Sequence, residues 1–228
     1  MIFVSRIITM KGVEINMLKY LRINLFKRLL FPVSNFSRKK RGKLFSKIIT
    51  PRENMTILDI GGQPEIWDFI KIPLRITCLN LPGIATIDHQ THHEIIYVEG
   101  DGCNMPEFHA GQFDFVFSNS VIEHVGDDKK RKQFANEVRR ISKNYWIQTP
   151  YKYFPIEAHC GMPFWWLYPQ VMRSFFITRW RKKLPMWTQM VEGTDVVSIE
   201  EMKALFPESN MLKEWLIFPK SLIVFSKT

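Results

Sequence analysis

Cysteine is nearly missing from this chain: Cys78, Cys103 and Cys160 are the only three in 228 residues. An odd number at wide spacing excludes a disulfide framework and any paired-cysteine metal knuckle. A reducing compartment is the expected setting, and the cytoplasm the expected location. No uncharged apolar run approaches about 18 residues, so no membrane-spanning helix is predicted. Met1 to Met10 is apolar but interrupted by Arg6, with no clear cleavage site after it, so no signal peptide is predicted. Internal repeats and low-complexity tracts are missing too. Acidic residues are scarce in one part only. Residues 1–54 hold 13 of the 32 Lys and Arg but 2 of the 22 Asp and Glu. The whole net charge of +10 therefore sits in an N-terminal arm, and the near-neutral remainder does not suit a nucleic-acid-binding body.

The arm, residues 1–50, has a pattern of its own. Met17, Leu18, Leu21, Leu25 and Leu29 fall at helical spacing, with Lys19, Arg22, Lys27 and Arg28 off that line. Pro32 ends this predicted helix, and Ser37 to Lys43 then packs five cations into seven residues. An amphipathic basic helix followed by a polybasic cluster suits peripheral contact with the inner membrane face. A helix packed on the domain beside a solvated loop is the other reading. Few aromatics are present for base stacking, so a nucleic-acid partner is not expected.

Residues 51–228 read as one α/β domain. Thr56 to Ile60 is a short apolar run carrying Asp59, ended by Gly61 and Gly62, with Pro64 at a predicted helix start that runs on through Trp67 to Ile72. Strand, glycine turn and helix N-terminus together make a nucleotide-binding corner. Further strands are predicted at Arg75 to Leu81, Glu94 to Glu99, Phe113 to Asn119 and Tyr145 to Gln148. A charged helix from Asp127 to Ile141 has its inner face at Phe134, Val138 and Ile141. Such alternation implies a doubly wound parallel sheet. Asn80 lies 21 residues after Asp59, where such folds often carry an acid for the ribose hydroxyls. Gly100-Asp101-Gly102 puts another acid at a strand end. Ser198-Ile199-Glu200-Glu201 is a capping box that starts a helix to Phe206. Glu214 to Phe218 and Leu222 to Ser226 read as a closing antiparallel hairpin that buries Leu216, Phe218, Ile223 and Phe225.

Ile57-Leu58-Asp59-Ile60-Gly61-Gly62, Gly100-Asp101-Gly102 with Met105-Pro106, Phe113 to Asn119 with Ile122-Glu123-His124, and the terminal hairpin stand in a fixed order. The ordered set resembles the class I S-adenosylmethionine-dependent methyltransferases of the methyltransferase-domain type, over roughly residues 50–228. The resemblance implies a seven-stranded, mostly parallel Rossmann-like sheet closed by the hairpin, and S-adenosylmethionine as cofactor. It implies that Asp59, Gly61 and Gly62 line the methionine side, that Asn80 takes the ribose position and that Asp101, with Gly102 beside it, accepts from the adenine amino group. Ser118 and Asn119 would line the floor near the sulfonium. Two positions depart from the family pattern. Gln63-Pro64-Glu65 stands where a further glycine is usual, and Asn80 stands where an acid is usual. Both leave open a noncatalytic interaction protein that retains the fold. An NAD-dependent oxidoreductase is a third reading, against which the absent G-x-G-x-x-G fingerprint weighs.

Eleven aromatics fall between Tyr151 and Trp187. This segment, about 151–190, follows the fifth strand at the sheet edge where ligands bind. It reads as a lid or substrate pocket, or equally as an aromatic mini-core. His159 and Glu157 inside it, and His124 after the fourth strand, are the candidate acid–base groups. Glu123-His124 also resembles part of a metal site in ubiquinone-pathway O-methyltransferases. Those carry another Glu where this chain has Ser120, so no metal is expected. The expected acceptor is a small-molecule, glycan or lipid-linked substrate.

Overall fold

The computed structural model describes residues 36–84, 89–157 and 159–226. The chain divides into two compact units after Thr50. The amphipathic stripe from Met17 to Leu29 lies outside the described residues. Within the first unit, residues 36–49 form a single helix. The basic run from Ser37 to Lys43 is therefore helical, where one of the two readings of the arm expected a solvated loop. Lys39, Lys40 and Lys43 are exposed, but Arg41 is only 5% exposed. A helix distributes neighbouring residues around its axis, which splits the five-cation cluster between an exposed and a covered side. No helix among the described residues is long and apolar enough to cross a membrane.

The second unit is built on a seven-stranded sheet in the order β3-β2-β1-β4-β5-β7-β6. Its strands are β1 (Thr56–Ile60), β2 (Arg75–Asn80), β3 (Glu94–Glu99), β4 (Phe115–Asn119), β5 (Tyr145–Pro150), β6 (Asn210–Trp215) and β7 (Pro219–Ser226). β1 to β5 are parallel; β7 runs antiparallel to β5, and β6 to β7. This is the doubly wound, mostly parallel sheet with a C-terminal hairpin that the strand pattern implied.

Burial explains which strands were legible. β1 and β4 lie at the centre, so Ile57, Leu58, Ile60, Phe115, Val116 and Phe117 are all buried and read as continuous apolar runs. β3 is an edge strand, with Ile96 half exposed, and its run is correspondingly weak. The helix Asp128–Ile141 starts where Asp127 accepts from the Lys130 amide at 2.9 Å, and buries Phe134, Ala135, Val138 and Ile141. Arg131 on the same helix is 5% exposed. It pairs with Asp128, Asp195 and Glu201 and donates to the Gly126 carbonyl, which ties the helix to the 195–201 segment.

Two expectations change. The segment after the first turn is a 3-10 helix, Pro64–Phe69, where an α-helix through Trp67 to Ile72 was expected. Its short length follows from two pins. Pro64 opens it, and the Trp67 indole is bonded to Asp59 beneath the turn at 2.8 Å. The hairpin is also shifted. Pro219 begins β7 and the reversal is at Leu216 to Phe218, where the Leu216 amide donates to the Phe218 carbonyl at 3.0 Å. Proline is tolerated as the first residue of a strand. Phe218 is therefore 53% exposed, Leu216 and Phe225 are only half-buried, and the covered residues are Leu222, Ile223 and Val224 on an interior strand.

Candidate functional site

Asp59, Gly61, Gly62, Asn80, Asp101, Gly102, Ser118 and Asn119 come together because parallel pairing aligns the carboxyl ends of β3, β2, β1 and β4. The ends are stitched by backbone bonds: the Gly61 amide donates to Leu79 O and the Gly100 amide to Asn80 O, both at 2.8 Å. Ser118 donates its hydroxyl to the Ile60 carbonyl at 3.2 Å and is fully buried. It braces the end of β1 from below.

The glycines are required by the protein's own packing. Gly61 has φ +70°, and a Cβ there would lie 2.4 Å from Val121 Cγ2. A Cβ on Gly62 would lie 2.1 Å from the Asp59 carboxyl group. Asp59 is 1% exposed; one oxygen accepts from the Trp67 indole N–H. Burial pushes its pKa up to about 8, against the lowering effect of that hydrogen bond. It supports the turn from beneath. Asn80 donates its side-chain amide to the Gly62 carbonyl at 3.1 Å. A carboxylate has no proton to give there, which accounts for an amide at this position. Asp101 accepts from the Cys103 amide at 2.9 Å and faces Lys130 at 3.6 Å, so its own turn is fixed locally.

Around the first turn, three buried oxygens have no hydrogen-bond partner among the described residues: Asp59 Oδ1, Gln63 Oε1 and Glu65 Oε2. Asp59 and Glu65 also lie close enough to Cys78 to push its thiol pKa up further, beyond the effect of burial. Buried polar atoms are normally satisfied. Three acceptors around one turn suit a ligand that is cationic and rich in donors. Gln63 and Glu65 were not among the residues expected from sequence. In the sequence they stand as a departure from the usual glycine loop, and the short 3-10 segment Pro64–Phe69 buries one oxygen of each.

A second polar group lies further along the same edge. Val121, which packs over Gly61, leads into Glu123 and His124 on the 3-10 turn Ile122–His124. The segment after β5 returns Glu157 and His159 to it. One donor atom each of Glu123, His124 and His159 lie within 4.8 Å of one another, and the two imidazoles meet edge to face at 4.9 Å. Glu123 is fully buried; Oε2 accepts from the Thr149 hydroxyl at 3.1 Å, and Oε1 has no partner among the described residues. Burial raises its pKa to about 7. His124 is pushed down to about 4, first by burial and then by the neighbouring His159. Burial also acts to raise Glu157, but is outweighed by donors at 2.6, 2.7 and 2.6 Å from the His159 amide, His159 Nδ1 and the Cys160 amide. Glu157 stays ionised and fixes the His159 ring.

The aromatic segment forms a satellite cluster. Trp165 is 2% exposed and stacks on Trp180 at 5.3 Å, with Phe176 and Tyr168 beside it. The helix Gln170–Lys183 buries none of its residues and leaves Val171, Met172 and Phe175 exposed.

Comparison places the fold. Residues 74–145 match the family described as "Methyltransferase domain". No curated protein matches the chain in sequence. Among solved structures, it is similar to Haemonchus contortus phosphoethanolamine N-methyltransferase 2 in complex with S-adenosyl-L-methionine, at 14% identity and TM-score 0.53, over 76% of this chain and 38% of that one. A Methanococcus maripaludis protein described as a candidate S-adenosyl-L-methionine-dependent methyltransferase matches over 97% of both chains, at 15% identity and TM-score 0.52. A Nostoc punctiforme protein described as a candidate O-methyltransferase matches at 12% identity and TM-score 0.51, over 88% of this chain and 59% of that one. The chain thus spans well under half of the Haemonchus enzyme. The match over residues 74–145 is to a methyltransferase domain, and the seven-stranded sheet has the fold of these solved structures.

Proposed function

We propose that this chain binds S-adenosylmethionine at the β1 turn and transfers its methyl group directly to a small-molecule, glycan or lipid-linked acceptor. The observation that carries the reading is the trio of partnerless buried oxygens, Asp59 Oδ1, Gln63 Oε1 and Glu65 Oε2. They match a ligand bearing an ammonium, a sulfonium and ribose hydroxyls. Asp59 and Glu65 would meet the cationic end, Asn80 would brace the turn that carries it, and Asp101 would accept from the adenine amino group. When bound, the cofactor supplies a methyl already activated on sulfur. The chain then has to align a nucleophile with that methyl and exclude water. Glu123, His124, Glu157 and His159 form the polar group on the acceptor side. The exposed apolar Leu167, Val171 and Phe175, near the aromatic cluster, favour an amphiphilic acceptor. Isothermal titration with S-adenosylmethionine and S-adenosylhomocysteine tests cofactor binding. Labelled methyl transfer into separate lipid and polar metabolite extracts tests the acceptor class. No heat of binding from either ligand would leave a noncatalytic protein with this fold.

Asp101→Ala is expected to weaken S-adenosylmethionine by about 1–3 kcal/mol, the loss of a charged hydrogen-bond acceptor. Titration of the variant reads this directly; an unchanged Kd would remove Asp101 from the site.

Cofactor binding is also expected to release a proton at pH 7. With its pKa raised to about 8, Asp59 is mostly protonated in the free protein. A cation placed beside it favours the carboxylate and lowers that pKa. Affinity therefore rises as pH increases toward about 8 and levels off above it. The same raised pKa makes the unliganded fold lose stability from Asp59 as pH rises above its ordinary value of 3.8 and up through about 8. Titrations in buffers of different ionisation enthalpy measure the released proton. Identical observed heats in all buffers would contradict a cationic ligand at Asp59.

A further inference from the structure

Glu123, His124 and His159 present an oxygen and two imidazole nitrogens within 4.8 Å of one another. The geometry points to a divalent transition-metal site, of the zinc type, held by these three side chains. Two imidazoles and one carboxylate with a fourth position open form a donor set that zinc takes in catalytic sites. Zinc bonds of about 2.1 Å would require the donors to close to about 3.4 Å of one another, a small movement of three side chains.

The support is in what holds each donor. Metal-bound histidines give their second ring nitrogen to a carboxylate or a carbonyl, which fixes the ring and its tautomer. His159 Nδ1 is bonded to the buried Glu157 carboxylate at 2.7 Å, which leaves Nε2 for a cation. His124 Nδ1 faces the Gly193 carbonyl at 3.4 Å and the Thr194 hydroxyl at 3.3 Å, which leaves its Nε2 likewise. Glu123 is anchored through Oε2 by Thr149 at 3.1 Å, while Oε1 is buried and partnerless. A fully buried carboxylate oxygen without a donor, next to two imidazoles, is what a cation would satisfy. Sequence pointed away from a metal because Ser120 stands where a second carboxylate would be needed. The third donor comes instead from the segment after β5. A cation here would polarise an acceptor hydroxyl; that consequence rests on the methyl-transfer reading, whereas the binding itself does not.

The test uses the full chain without cofactor, stripped of metal by a chelator. Zinc titration is expected to show a single tight site per chain, and cobalt to give the visible bands of a tetrahedral nitrogen–oxygen site. His159→Ala and His124→Ala should each weaken zinc by more than about 100-fold, and Glu157→Gln by about 10-fold to 100-fold through the loosened His159 ring. His92→Ala, in the separate pair formed with His93, should leave the titration unchanged. Circular dichroism of each variant verifies the fold, and Glu123→Gln, nearly the same shape, provides a second ligand variant. Zinc affinity equal in wild type, His159→Ala and Glu123→Gln would overturn the site. So would a thiolate-to-cobalt charge-transfer band, which would assign the metal to Cys160. Because no cofactor is present, failure here leaves the S-adenosylmethionine titration unaffected, and the reverse also holds.

Discussion

Gly62→Ala is expected to abolish S-adenosylmethionine binding and to lower thermal stability. The added methyl would lie 2.1 Å from the Asp59 carboxyl group, which is buried and cannot swing into solvent. Either the turn shifts or Asp59 leaves the Trp67 indole, now bonded at 2.8 Å. Overpacking and a broken buried hydrogen bond together cost about 3 kcal/mol or more. For a domain of this size that is a fall in Tm of roughly 6–12 °C. The turn also carries Gln63 and Glu65, so its displacement removes all three partnerless oxygens from one place, and affinity should fall by more than about 100-fold. Calorimetry and cofactor titration measure the two effects. A variant with wild-type Tm and Kd would mean that the turn is not packed as described. Gly61→Val is a harsher change than the sequence alone suggests. Its position has φ +70° and abuts Val121, so it disturbs the fold as well as the site. Loss of binding in that variant is therefore less informative than the Asp101→Ala titration.

His159→Ala is expected to lower turnover by about 100-fold or more while leaving the Kd for S-adenosylmethionine unchanged. Its ring is held by Glu157 and lies against His124. The loss should appear in kcat, because the imidazole belongs to the polar group on the acceptor side, whether it meets the acceptor directly or through a cation it holds, and not to the cofactor turn. Glu157→Gln should show a smaller loss in the same parameter, since the amide can still accept from Nδ1 without carrying charge. Single-turnover measurements with saturating cofactor separate these from slow product release. Full activity in His159→Ala would return that residue to a structural role beside the aromatic segment.

The sheet and its order of elements were legible because they depend on local patterns. Thr56 to Ile60 and Phe113 to Asn119 read as buried strands because the strands there, Thr56–Ile60 and Phe115–Asn119, have both faces buried, which leaves continuous apolar runs. Glu94–Glu99 was found with its bounds, although its edge position weakens the pattern. The capping box at Ser198 marked a helix start because a side chain that accepts from an amide three residues on is a local geometry. Turns that depend on distant partners were not legible. The Pro64–Phe69 segment is shortened by a bond from Trp67 to Asp59 across the turn, and the hairpin reversal is set by pairing of β7 with β5.

The residues themselves determined that Asp59, Asn80, Asp101 and Asn119 lie at strand ends, since strand length and turn chemistry are written locally. Only the tertiary structure decided that Asn80 braces Gly62, that Gln63 and Glu65 turn inward with Asp59, and that Arg41 leaves the basic cluster. It also decided that His159 meets Glu123 and His124. Those contacts join segments far apart in the chain, and no spacing rule measures a distance that is set by how β5 and the loop after it pack beside β4.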